Sequence, residues 1–204
     1  MTFKGFTNDD FKAMQLPGLD NRMEAIRQNI QPKFQTLGDE LTSFLEKELA
    51  VPMYLHIAKH ARRSVNPPDS TWLAIGHDKR GYKKHPHFQV GLYDEYLFVW
   101  LAFIYENEER TFIADNYLKS EADFLALPAD FSISPDHTER KTFPLEQAAL
   151  EKTLRRFRDV KKGEFLIGKI YQPTDKKIHS GSACTEEIKS VLTKLLPFYK
   201  DAFQ

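Results

Sequence analysis

Apolar residues recur every three or four positions early in the chain and every second position after residue 52. In the first stretch Met23, Ile26 and Ile30 mark one side of a helix that Asp20 can cap, and Pro32 interrupts it because its ring nitrogen has no proton to donate. A second helix is predicted to restart there and run over 32–49, with Phe34, Leu37, Leu41, Phe44, Leu45 and Leu49 as its core-facing stripe. Four runs rich in aromatic and β-branched residues follow at 54–60, 71–77, 87–93 and 96–105, and their period of two predicts consecutive strands. Only Asp94 and Glu95 separate the last two, too few residues for a crossover, so that pair must be antiparallel. The fourth run is apolar on both sides, with Leu97, Val99 and Leu101 on one and Phe98, Trp100 and Ala102 on the other. It is expected mid-sheet, under helices.

Beyond Glu106 the pattern is polar and helical to about Leu125, and Pro128 and Pro135 bracket a short extended piece at 131–134. Helix resumes at Pro144, with Leu150, Leu154 and Phe157 on its buried side, and a strand is expected at 164–171 after Gly163. A last helix is expected to follow Thr185 as its N-cap, with Glu186 and Glu187 in its first turn and Ile188, Val191, Leu192 and Leu195 inward. No linker or shift in composition separates these segments. The pattern therefore predicts one α+β domain over residues 1–204, a mainly antiparallel sheet packed by helices, with the helix 32–49 lying across it.

Composition adds little to that picture and excludes several classes. Hydrophobic residues are 41% and charged residues 28% of the 204 positions, an ordinary globular mix. A chain of this size buries roughly 70% of the surface its unfolded form exposes, so its stability calls for no metal or cofactor, and none is expected. The longest apolar run, 96–104, is about half of what a bilayer span needs, and the start Met-Thr-Phe-Lys-Gly lacks the apolar run of a signal peptide. With Cys184 the single cysteine, no internal disulfide can form. These features predict a cytoplasmic protein with no membrane partner.

Charge changes the picture more. The net charge is zero, which argues against coating nucleic acid or membrane through bulk electrostatics. Yet between His56 and His87 stand Lys59, Arg62, Arg63, Lys79, Arg80, Lys83 and Lys84 against only Asp69 and Asp78, together with five of the seven histidines. The excess falls in two loops that each leave a predicted strand, at 59–66 and 80–87. Arginine forks grip phosphate or carboxylate oxygens, and lysine and histidine add charge, so Lys59, His60, Arg62, Arg63, Asn66, Arg80, Tyr82, Lys83 and His87 are the candidate anion-binding residues. Gly81 would let a ligand approach the backbone, and Trp72 and Phe88 would form an apolar wall. The plainer alternative is a solvated basic surface. In a meander these loops lie at opposite ends of the sheet, a geometry that could split the cluster, yet Arg62, Arg63, Arg80 and Lys83 are predicted to contribute to one anion-binding region.

Other features invite less. No Gly-rich phosphate loop, paired-cysteine zinc spacing, His-Glu-x-x-His or Gly-x-Ser-x-Gly occurs. His85 and His87 share a face if both lie on a strand, as a metal pair requires, but no third ligand is marked by spacing. His56 reads as a half-buried strand residue. Asp136-His137 and His179-Ser180 are sequence neighbours, which seldom face each other. Cys184 just before a helix start stands where the dipole lowers a thiol pKa and sharpens its reactivity, but the plainer reading is a quietly packed cysteine. A second basic block, Lys152, Arg155, Arg156, Arg158, Lys161 and Lys162 against Glu151 and Asp159, reads as cations placed favourably near a helix C-terminus.

The stretches Gly18-Leu19, Arg22-Met23, Pro32-Lys33, Ala58-Lys59-His60-Ala61-Arg62-Arg63, Asn66-Pro67-Pro68, Thr71-Trp72, Arg80-Gly81-Tyr82-Lys83 and Pro86-His87-Phe88-Gln89 resemble the YktB-like family of Bacillus and related Gram-positive bacteria, a domain of unknown function. The resemblance implies a fold similar to the TATA-box-binding-protein-like or helix-grip architecture. It implies no activity and carries over no site residues. Three functions follow from the residues themselves. The first is a binding module for a small anionic or phosphorylated ligand. The second is an enzyme on the same pocket, with His60 or His87 as general acid or base beside Arg62, Arg63 or Arg80. The third, less favoured, is a nucleic-acid or protein interaction surface joining both basic blocks.

Overall fold

The computed structural model describes residues 2–204. Its strands are β1 Tyr54–Ile57, β2 Thr71–Gly76, β3 His87–Leu92, β4 Leu97–Phe103, β5 Ser132–Ser134, β6 Phe143–Pro144 and β7 Phe165–Tyr171. They form one antiparallel sheet in the order β1-β2-β3-β4-β7-β5-β6, so the α+β class and the meander of the first four strands stand. The hairpin across Asp94-Glu95 closes with the Tyr93 N–H donating to the Tyr96 carbonyl at 2.9 Å.

Alternation divides the sheet into unlike faces. One face presents Leu73, Ile75, Phe88, Val90, Leu97, Val99, Leu101, Phe103, Phe165 and Ile167, all buried. Against it pack α1 Asn8–Ala13, α2 Leu19–Ala25, α3 Gln31–Leu49, α4 Arg110–Lys119, α5 Glu121–Leu125, α6 Gln147–Asp159 and α7 Gly181–Asp201. As expected, α3 lies against β1 and β2, with Phe34, Leu37, Leu41 and Leu45 buried, while α7 crosses β4 and β7. Each such buried side chain contributes about 1.5–3 kcal/mol over an exposed one. The opposite face holds a separate cluster, Tyr93, Tyr96, Phe98, Trp100, Ala102 and Leu166, to which no helix residue among the described ones belongs.

Four expectations need correcting. β4 is central but lies under helices on one face only. Pro32 does not interrupt the helix of Met23, Ile26 and Ile30: Ile26–Ile30 is a π-helical stretch joining α2 to α3, and the proline falls in the first turn of α3, where its missing N–H costs least. The last helix begins at Gly181, not after Thr185, because the irregular N-terminal segment packs on its start. A Cβ at Gly181 would stand 1.9 Å from the Phe3 carbonyl oxygen, and the Phe6 N–H donates to the Ile178 carbonyl at 2.8 Å. Cys184 is therefore buried inside the helix, and burial pushes its thiol up to about 12, away from the reactive range.

Candidate functional site

The site is built on the face that the helices leave alone. His56, Ala74, Gln89, Trp100 and Gly168 are successive cross-strand partners, so their side chains share that face. Over β4 and β7 it is covered by the segment 135–142. The Tyr93 hydroxyl donates to the His137 carbonyl at 3.1 Å, the Tyr96 hydroxyl to the Arg140 carbonyl at 2.8 Å, and Arg140 pairs with Asp94. Over β1 and β2 the face opens into a cavity of about 890 Å³.

The two basic loops do leave opposite ends of the sheet, but the second folds back. A 3₁₀ turn at Tyr82–Lys84 lays the Tyr82 ring on His56, stacked with centroids 4.6 Å apart, and edge-on to His87 at 4.9 Å. Trp72 Nε1 donates to the Tyr82 hydroxyl at 3.4 Å. Asp78 pins the fold-back, accepting from the Arg80 N–H at 2.7 Å with His85 Nε2 at 3.4 Å. Lys59, His60, Arg62, Arg63, Tyr82 and Lys83 therefore line one cavity with Trp72. Asn66 and Arg80 are exposed and do not line it. His87 is fully buried beneath Tyr82, and Phe88 faces the other way, stacked on Tyr199 in the helical core at 4.9 Å. Of the expected apolar wall, Trp72 alone is present.

The imidazoles of this face differ by their partners. His87 Nδ1–H donates to the His85 carbonyl at 2.8 Å, and its Nε2 accepts from the Gln89 amide at 2.8 Å. Burial lowers its pKa to about 3, so it is a neutral, fully engaged group, and neither it nor His85 offers the metal pair that their spacing suggested. His56 Nε2–H donates to the Asp78 carbonyl at 3.1 Å. His60 stands where β1 has already ended, at φ 51 in the left-handed region, with its carbonyl accepting from the Arg63 N–H at 3.0 Å. Backbone of this kind in a non-glycine residue costs of order 1–3 kcal/mol and persists only when its surroundings hold it. Burial first, then the Arg63 charge, lowers the His60 pKa to about 4, and Nε2 meets Thr71 Oγ1 at 3.1 Å.

Sequence reasoning missed the pairing of His137 with a distant residue. Glu164, buried just before β7, accepts from the His137 N–H at 2.7 Å and from Nδ1 at 2.8 Å. No local signal joins them, because they stand 27 positions apart; only the order β4-β7-β5 brings Glu164 under the 135–142 segment. Asp136, His137 and Glu164 also offer ligand atoms all within 4.8 Å of one another, so these three could hold a cation. His179, by contrast, spends Nδ1 on the Phe6 carbonyl at 2.8 Å, in the packing of the N-terminal segment.

The cations sort by environment. Ion pairs near the cavity use Lys84, His85 and Arg140, and none among the described residues uses Lys59, Arg62, Arg63 or Lys83. In the second block Arg155 pairs with Glu151 at 2.7 Å, Arg158 pairs with Asp115 and Asp159, and Arg156 donates to the Pro135 carbonyl at 2.9 Å.

A model of the family described as a domain of unknown function (DUF1054) matches residues 6–199. The chain belongs to that family. Among its relatives, a UPF0637 protein of Listeria innocua is 62% identical over 204 residues, the whole of both chains. One of Oceanobacillus iheyensis is 50% identical over 197 residues, covering 96% of this chain and 95% of the relative, and one of Shouchella clausii is 48% identical over 201 residues, covering 98% and 95%. The YktB-like resemblance of the motif residues agrees with this membership. Among the described residues no helix is long and apolar enough to cross a membrane.

Proposed function

We propose that the cavity on the helix-free face binds a small anionic ligand, a phosphate ester or a molecule of like charge. Lys59, Arg62, Arg63 and Lys83 hold the anion, and Trp72, with the Tyr82 ring braced on His56, forms the floor for an apolar or aromatic portion. The observation that carries this reading is the absence of any ion-pair partner for those four cations among the described residues, around a cavity large enough for a nucleotide-sized molecule. Unpaired like charges brought together repel, and an anion placed among them relieves that repulsion. Asn66, Arg80 and His87 fall outside the proposed site. A concave site suits a small ligand better than a strand of nucleic acid, which asks for a continuous basic stripe. With one cysteine and so no internal disulfide, we infer that the binding takes place in the cytoplasm.

Trp72 supplies the test, since it lines the cavity half-exposed while Trp100 is buried. Inorganic phosphate, pyrophosphate, nucleotides and short oligonucleotides are titrated while tryptophan fluorescence is followed. Saturable quenching by at least one small anion, lost in Trp72→Phe, is expected. Response to none of them, or only to the oligonucleotides with a steep salt dependence, would overturn the small-ligand reading.

A further inference from the structure

We propose that His137, held by Glu164, is the general base of a hydrolytic site in this cavity, acting on a phosphodiester; the inference rests on the anion-binding reading above. His137 lies on the cavity wall with its ring edge-on to Trp72, centroids 6.1 Å apart, and Thr138 and Glu106 line the cavity beside it. Its Nδ1 faces a buried carboxylate at 2.8 Å, and the same carboxylate fixes its backbone N–H at 2.7 Å. A carboxylate in that position holds the proton on Nδ1, leaves the lone pair on Nε2, and stabilises the imidazolium that forms when Nε2 takes a proton. Among the described residues no protein group hydrogen-bonds Nε2. The other imidazoles of the face are differently placed: His56 and His60 meet a carbonyl and a hydroxyl through Nε2, and His87 has both nitrogens engaged. Only His137 has a carboxylate directly behind it and Nε2 free.

The cations decide the class of substrate. A phosphodiester carries one negative charge, and attack by water adds a second as the five-coordinate transition state forms. Unpaired guanidinium and ammonium groups at the rim meet that developing charge. In the step, water gives one proton to His137 Nε2 as its oxygen bonds to phosphorus, and the bond from phosphorus to the leaving oxygen breaks. The imidazolium then returns its proton, through the solvent of the cavity, to the leaving oxygen. One diester and one water become one phosphomonoester and one alcohol. Glu164 touches neither substrate nor water and acts as a positioning residue.

The test uses the full chain and bis(4-nitrophenyl) phosphate, with nitrophenol release read by absorbance and binding read by calorimetry. Turnover is expected, and His137→Gln should lower kcat by about a hundredfold or more while leaving the binding constant and the melting temperature near those of the native chain. Glu164→Gln should lower kcat while leaving KM near that of the native chain, since the imidazole loses the carboxylate that orients it, and Glu164→Asp should recover part of the loss. A merely structural Glu164 would lower the amount of folded protein without changing kcat per folded molecule, and Asp would not restore it. Binding without turnover, or equal turnover in His137→Gln, overturns this inference and leaves the ligand reading intact. Turnover abolished by EDTA and restored by a divalent cation also overturns it, assigning Asp136, His137 and Glu164 to a metal. If neither this diester nor any other small anion binds, both readings fall together.

Discussion

Two basic stretches of similar net charge hold their arginines differently in this fold. On and after α6, Arg155, Arg156 and Arg158 are each satisfied by a carboxylate or a backbone carbonyl within the protein. Around the cavity, Lys59, Arg62, Arg63 and Lys83 have no such partner among the described residues. The α6 cations sit beside a helix terminus and a neighbouring helix that supply carbonyls and carboxylates at short range. The loop cations project from turns over a sheet face of aromatic rings and histidines, and although Asp69 and Glu106 line the same cavity, neither forms an ion pair with them. Composition cannot separate the two cases, because what counts is which acceptors the fold brings within reach.

The largest effect expected of this difference is in acid. His87 lies buried below the basic loops with its pKa at about 3, against an ordinary value of 6.5. The unfolded chain therefore takes up a proton that the folded chain refuses, so His87 weakens the fold as pH falls from about 6.5 toward 3. By about pH 4 its share of the loss should reach about 3 kcal/mol. Denaturant midpoints measured along that range check it, and His87→Gln should flatten the dependence. An unchanged slope in that variant would mean that the loop region is not where acid acts. The lowered pKa of His60 adds to the same trend with the same sign.

Truncation sharpens the comparison further. Arg156→Ala removes a charged donor from the Pro135 carbonyl, which is part of the wall beside His137, and should cost about 1–2 kcal/mol in equilibrium unfolding. Arg62→Ala or Arg63→Ala removes an exposed cation from among its like, and should change stability by less than about 0.5 kcal/mol, or raise it slightly. Equal losses at the two places would erase the distinction. The smallest effect is that of salt without a specific anion: moderate sodium chloride should stabilise the native chain slightly by screening the loop repulsion, and less so Arg62→Ala.

Much of the scaffold was legible in the sequence. The period of two from residue 54 to 103 gave the meander, and the stripe from Phe34 to Leu45 gave the helix across it. The π-helical turn before Pro32 was not legible, since apolar spacing does not register a change in helical winding. Nor was the start of α7, because Gly181-Ser182-Ala183 reads as a loop until the N-terminal segment packs on it. For the site, residue types and loops were visible, while their convergence was not. It depends on Tyr82 folding back onto His56, and on strand order carrying Glu164 to His137, neither of which leaves a local pattern.

The most direct measurement is a calorimetric titration of pyrophosphate into three proteins: the native chain, Arg62→Ala/Arg63→Ala, and Arg155→Ala/Arg158→Ala. The native chain and the α6 variant should bind one equivalent with the same affinity, and the loop variant should bind at least about tenfold more weakly, a loss of about 1.4 kcal/mol. Equal affinity in all three, or weakening by the α6 substitutions alone, would contradict the assignment of the unpaired loop cations as the anion site.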